Sequence, residues 1–335
     1  MILNNHNMKR KIIILITTVA CVLSSCAMYT PITAGTSPNP LDHSDGYSGT
    51  HNSSENSREN NANTSAGKSF SKATTPVSDV DTNIPITKKV NDKTFVLIIA
   101  NEHYEFVDDV KYAINDGEVF REYCIKTLGI PERQIWLYKD ASLGIIAGGV
   151  DKMVQAMNIF DETKAIIYYC GHGIPDEKTG DAYIIPVDGR GTNTATCYSL
   201  NQLYKTMASA KTTNVTYFMD ACFTGANRDG SMLVAARGVA REPKKEVITG
   251  NTVVFSAASG DETAMPFDEK GHGLFTYFLL KKLQETQGNV TYGELAEYIN
   301  SNVKKEAFFT NEKPQNPVVA TSKEFENKWK NISIK

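Results

Sequence analysis

From residue 95 onward, short apolar runs alternate with stretches in which apolar positions fall three or four apart. Phe95-Val96-Leu97-Ile98-Ile99-Ala100 is apolar on both faces, the pattern of a strand buried inside a parallel sheet. Ala165 to Tyr169, Val215 to Met219 and Thr252 to Phe255 repeat it, and Gln134 to Tyr138 adds a strand after the Gly129 to Pro131 break. Between them, Ala113, Gly117, Phe120 and Cys124 line one face of a predicted helix. Ile146, Val150, Met153, Val154 and Met157 line another. Further helices are expected near 199–210, 272–286 and 291–307, and Pro314 to Thr321 leads into a last strand. No internal repeat is visible. The alternation predicts one α/β domain over 90–335, an open and mostly parallel sheet with helices on both faces.

The N-terminus follows another pattern. Lys9, Arg10 and Lys11 precede the apolar stretch Ile12 to Leu23, which is short of the roughly 20 residues a bilayer span needs and suits a signal-peptide core. Leu23-Ser24-Ser25-Cys26 resembles the lipobox of bacterial lipoproteins. That resemblance implies a signal peptide over 1–25, cleavage before Cys26 and a lipid on its sulfur, with Cys21 leaving in the signal. Met8 would serve equally as the start. The expectation is an exported bacterial lipoprotein, anchored on the periplasmic side or at the cell surface. Residues 26–89 are dominated by Ser, Thr and Asn, with Tyr29, Tyr47 and Phe70 as the only aromatics. Such a composition buries too little apolar surface to offset its ordering entropy, so a flexible linker is expected there.

Composition narrows the picture further. The 335 residues carry a net charge of −3, which argues against a nucleic-acid binder. Six cysteines are too few for a disulfide scaffold, and Cys124 and Cys197 read as isolated thiols.

In open α/β sheets reactive groups gather at the carboxyl ends of the strands. One predicted strand ends in Cys170-Gly171-His172-Gly173 and another in Asp220-Ala221-Cys222-Phe223-Thr224-Gly225. A thiolate attacks a carbonyl carbon far better than a thiol, and a nearby imidazole raises its population. The same imidazole can protonate a leaving amine. The backbone N–H groups of Gly173 and Cys222 are candidate oxyanion donors.

This pair, in this order, resembles the caspase-like cysteine peptidases, and within them the bacterial caspase homologues and metacaspases. Tyr169-Cys170-Gly171-His172-Gly173 and Asp220-Ala221-Cys222 carry the likeness, which extends over roughly residues 93 to 322. The resemblance implies a caspase-like three-layer fold with a mostly parallel six-stranded sheet. It implies a cysteine endopeptidase in which His172 and Cys222 form the catalytic dyad and an acyl-enzyme thioester is the intermediate. It names no third catalytic residue.

The resemblance also implies a pocket for the P1 side chain. Asp220 stands where caspases that cut after aspartate have Gln, and Ala113-Ile114-Asn115-Asp116 matches the metacaspase pattern for a second acidic residue. Cys170 falls where relatives have a pocket serine. Two carboxylates would pair an ammonium or guanidinium group and repel an acidic one, so cleavage after Arg or Lys is expected. The polar stretch 226–250 corresponds to the linker cut in many relatives. Arg228, Arg237, Arg241, Lys244 and Lys245 are therefore candidate self-cleavage positions. The chemistry requires no cofactor. Calcium on Asp176, Glu177, Asp181 and Asp188 is the cation the resemblance raises, and zinc on Cys170, His172 and Cys222 has a spacing that structural zinc sites do not favour. The segment carrying Asp261 and Glu262 borders the expected cleft and could offer either acid to P1 or P2, but it reads first as a solvated loop; His103 lies near the end of the first strand, and His272 reads as a loop residue before a helix.

The expected partners are a protein or peptide substrate with a basic P1 residue and a membrane reached through the lipid on Cys26. No nucleic acid is expected, and the chain reads as a monomer. Two competing readings remain: a catalytically silent caspase-like scaffold that binds peptides or partner proteins, and a peptidase selecting acidic P1 residues. Intact His172 and Cys222 argue against the first, and Asp220 argues against the second.

Overall fold

The structure is a computed structural model that describes residues 75–227, 233, 243–244 and 247–335. The expected signal peptide, Cys26 and the linker up to 74 lie outside the described residues, as do Arg228, Arg237, Arg241 and Lys245.

The central sheet has six strands. In chain order they are β1 (Thr94–Ala100), β2 (Ile135–Lys139), β3 (Thr163–Cys170), β7 (Thr212–Asp220), β8 (Thr252–Ser256) and β11 (Val318–Thr321). Their spatial order is β11-β8-β7-β3-β1-β2, parallel throughout except for β11, which runs antiparallel to β8. The four inner strands, β8, β7, β3 and β1, are buried on both sides along most of their length, so alternate residues feed two cores. Val96 and Ile98 join one, packed under helices α1 (Ala113–Lys126), α4 (Leu274–Thr286) and α5 (Tyr292–Asn311). Phe95, Leu97 and Ile99 join the other, packed under α2 (Leu143–Met157) and α3 (Leu200–Ala208). The result is the expected three-layer α/β arrangement.

Three short strands, β4 (Gly173–Pro175), β5 (Ala182–Ile184) and β6 (Tyr198–Ser199), form a separate antiparallel sheet. Another small pair joins β9 (Pro266–Phe267) to β10 (His272–Gly273). The helix expected from 272 therefore begins at Leu274.

The expected linker, running to residue 89, is too long. Val80 is fully buried and its carbonyl accepts from the Tyr123 hydroxyl at 3.0 Å. Thr87 donates to the Lys126 carbonyl at 2.8 Å, and the Thr127 hydroxyl donates to Pro85 O at 2.8 Å. Asp79 accepts from Lys281 Nζ at 2.8 Å and from the Tyr277 hydroxyl at 3.0 Å. Polar side chains on α1 and α4 thus hold a segment whose own apolar content is low. Burial works against a charged Asp79, yet the bonds from Lys281, Lys270 and Tyr277 keep its pKa well below the usual carboxylate range.

Candidate active site

The register of β3 against β7 pairs Cys170 with Asp220. The parallel ladder then runs past the strand ends, with Gly171 N–H donating to Asp220 O at 3.5 Å and Gly173 N–H to Cys222 O at 3.1 Å. His172 and Cys222 each stand two residues beyond the paired positions, on the extensions of adjacent strands at one edge of the sheet. They are 3% and 6% exposed.

His172 is held on three sides. Its N–H donates to the Tyr104 hydroxyl oxygen at 2.9 Å, and its carbonyl accepts from the Tyr169 hydroxyl at 2.6 Å. The Tyr104 ring lies 4.9 Å from the imidazole, centroid to centroid. The Nε2 atom is 2.7 Å from the main-chain carbonyl oxygen of Asp108. A carbonyl oxygen only accepts, so Nε2 carries a proton, and the tautomer of a neutral ring here has its lone pair on Nδ1. A Cβ at Gly171, whose φ is +156°, would come within 2.6 Å of both the Tyr104 and Tyr169 oxygens. Glycine there is what lets two tyrosines grip the histidine.

Cys222 Sγ accepts the Ala264 N–H at 2.6 Å. Ala264 belongs to the segment leaving β8, which Gln315 fastens through Met265 N–H (2.9 Å) and Ala257 O (3.0 Å). Glu262 is committed to this same fastening: it accepts from Ser259 and from the Asn316 N–H at 2.7 Å. The Gly173 N–H, a candidate oxyanion donor, bonds to the Cys222 carbonyl here, and a Cβ at Gly173 would strike the Phe223 ring at 2.3 Å.

The three residues expected to form the P1 pocket do converge. One carboxylate oxygen each from Asp116 and Asp220, together with Cys170 Sγ, lie within 4.8 Å of one another, and all three residues are fully buried. The N-terminal turn of α4 orients both acids. Gly273 N–H donates to Asp116 Oδ2 at 3.1 Å, and Thr276 donates to Asp220 Oδ2 from its N–H (3.2 Å) and its hydroxyl (2.6 Å). A helix N-terminus favours negative charge, so it offsets part of the cost of burying two carboxylates. Among the described residues this is the group of side chains spaced to hold a metal ion. The acids that the sequence offered for calcium form no such group. Asp176 accepts from Lys178, Thr179 and Thr194, and Asp188 accepts from Leu143.

His272 is not a loop residue. It is fully buried, with Nδ1 2.7 Å from Asp116 Oδ1 and Nε2 2.8 Å from Asp81 Oδ1. Burial disfavours its charged form, but the hydrogen bonds and charges of Asp116 and Asp81 outweigh this and raise its pKa to about 9. His103 is exposed and pairs with Asp109 at 3.1 Å, a bond that raises its pKa.

A cavity of about 390 Å³ lies alongside, lined by Asp108, Asp109, Lys111, Asn227, Met265 and Lys313 among others. Two further cavities of about 410 and 420 Å³ hold none of the predicted site residues. The start of the 226–250 stretch reaches the site: Asn227 donates to Asp108 Oδ2 at 2.9 Å. Lys244 is docked by its backbone, its N–H donating to Gly180 O at 2.7 Å.

The sequence assigned no role at the site to Tyr104, Tyr169, Asp108, Ala264, Thr276, Asp81 or His272. Two of these left a signal. Tyr104 follows β1 directly at the reactive edge, and His272-Gly273 is a second His-Gly dipeptide echoing His172-Gly173.

The family model described as Caspase domain matches residues 93–327. A solved protein from Geobacter sulfurreducens is similar at 15% identity and a TM-score of 0.51, over 69% of this chain and 93% of its own. Caspase-1 from Spodoptera frugiperda is similar at 12% identity and a TM-score of 0.49, over 73% of this chain and 92% of its own. No curated protein matches the sequence.

Proposed function

Because the chain belongs to the caspase domain family, whose members are cysteine peptidases acting on proteins, we propose that it is a cysteine endopeptidase cutting after Arg or Lys. The observation that carries this reading is the buried convergence of Asp116, from α1, with Asp220 and Cys170, which stand two residues before Cys222 and His172 on neighbouring strands. Carboxylates in so dry a place bind a cation far more strongly than they would in water, and they repel an acidic side chain.

The proposed chemistry follows from the histidine's tautomer. Nδ1 of His172 takes the proton from Cys222 Sγ, and the thiolate attacks the scissile carbonyl carbon. The carbonyl π electrons move onto oxygen. The oxyanion is met by the N–H groups of Cys222 and Gly173, the latter exchanging its bond to Cys222 O for the new charge. The Nδ1 proton passes to the leaving amine, the C–N bond breaks and a thioester remains. Water, deprotonated by the same nitrogen, hydrolyses it. The Asp108 carbonyl holds Nε2–H throughout and stabilises the imidazolium when it forms. No cofactor enters these steps.

The reading places a monomeric enzyme at a bacterial membrane, tethered through a lipid on Cys26, and has it process itself at a basic residue between 226 and 250. Fluorogenic peptides differing only in P1 (Arg, Lys, Asp, Ala), assayed in calcium and in chelator, test it. Turnover confined to Arg and Lys and lost in Cys222→Ala is expected. Turnover after Asp, or binding without turnover, would reject it. Activity abolished by chelator and restored by calcium would add a cation to the account.

A further inference from the structure

Behind the acidic pocket lies a chain of three charged side chains, Asp81, His272 and Asp116. Both ring nitrogens of His272 face carboxylate oxygens, at 2.8 Å and 2.7 Å. Carboxylates only accept, so each nitrogen supplies a proton and the ring is an imidazolium. Asp81 is itself fixed, its Oδ2 accepting the Ser78 N–H at 2.6 Å. The ring of Tyr277 stands 6.5 Å from that of His272 on the α4 side.

The charge count gives this chain a consequence for specificity. An imidazolium touching Asp116 alone would cancel that carboxylate and leave the pocket with the charge of Asp220. A second carboxylate on the far side of the ring restores the deficit. Resting on the reading of Asp116 and Asp220 as the seat of a basic P1 side chain, we infer that Asp81 is a specificity-determining positioning residue. It balances His272 from behind, so that Asp116 keeps its negative charge for the substrate. Asp81 lies in the segment that precedes the sheet, so residues outside the conventional site set its charge.

Kinetics of the full chain with P1 Arg and P1 Ala peptides test this, together with calorimetric binding of benzamidine to the Cys222→Ala form as a cationic probe that needs no turnover. Asp81→Asn is expected to raise KM for the Arg peptide and weaken benzamidine roughly tenfold, the effect of one unit charge several ångströms away in a partly screened site. Its kcat should stay within about twofold, and the Ala peptide should be unaffected. Asp81→Glu should restore the lost affinity. Should Asp81→Asn fail to fold, Asp81→Ser carries the same expectation. Unchanged KM and unchanged benzamidine affinity would overturn the inference, as would an equal loss of kcat with both peptides, which marks a merely structural role. A wild-type chain that treats Arg and Ala alike overturns the pocket reading before any variant is made, and the inference with it.

Discussion

The imidazole of His172 bonds from Nε2 to the main-chain oxygen of Asp108 at 2.7 Å. The group that selects the histidine's tautomer is therefore backbone, and no side-chain substitution at 108 deletes it. Asp108→Ala would remove only the carboxylate that receives Asn227. Its expected effect is a fall of less than about threefold in kcat, from one part-buried hydrogen bond. A loss of a hundredfold in steady-state assays would mean that the carboxylate itself takes part in the chemistry.

Tyr104 touches the same histidine through its ring and its hydroxyl oxygen. Tyr104→Phe keeps the ring and leaves the buried His172 N–H without that acceptor, at a cost of about 1–3 kcal/mol. Part of that strain should fall on the imidazole's position. A drop in kcat of about tenfold at unchanged KM is expected, with thermal melting as the control for folding.

Asp220→Asn is nearly isosteric and keeps an oxygen for Thr276 while deleting a charge. The Arg and Lys substrates should lose about a hundredfold or more in kcat/KM, as expected when a buried charged partner is removed. The Ala peptide should change little. Equal losses for all peptides would place Asp220 in folding rather than in selection.

His272 links stability to pH. Its pKa is raised from 6.5 to about 9 in the folded chain. Folding therefore gains fully from the proton below pH 6.5, and the gain is lost as pH rises through 9. It amounts to on the order of 3 kcal/mol at most. Asp81, with its pKa lowered, contributes in the opposite direction, and its share is lost in acid. Denaturation midpoints should fall between pH 6.5 and 9.5, and His272→Gln should flatten that slope. A slope the substitution does not alter would contradict the buried imidazolium.

The segment before β1 offers a test of where the domain begins. A chain starting at residue 75 retains Asp79, Val80 and Asp81, whereas one starting at residue 90 loses their bonds to Tyr277, Lys281, Tyr123 and His272. The shorter chain should melt well below the longer one. Equal melting temperatures would show that the segment contributes nothing to stability.

The strands were legible because runs such as Phe95 to Ala100 are buried on both faces and must be apolar throughout. His172 and Cys222 were legible because a strand end with flanking glycines leaves few alternatives for a polar side chain. Asp116 and Asp220 were found through a family likeness rather than through any pattern of their own. What stayed hidden acts in ways that composition does not record. Asp108 contributes a carbonyl that every residue type possesses. Asp81 sits among Ser, Thr and Asn in a stretch that packs by hydrogen bonds to α1 and α4 rather than by apolar burial. His272 is brought to Asp116 by the two-residue pairing of β9 with β10, too short to leave a periodic signature.

The most direct measurement of the central claim is peptide mapping of the chain after reaction with a pair of peptidyl chloromethyl ketones that differ only in an Arg or Asp at P1. One adduct is expected, on the sulfur of Cys222, formed with the arginyl reagent and not with the aspartyl one. Labelling of Cys124, Cys170 or Cys197 in its place, or equal labelling by both reagents, would contradict it.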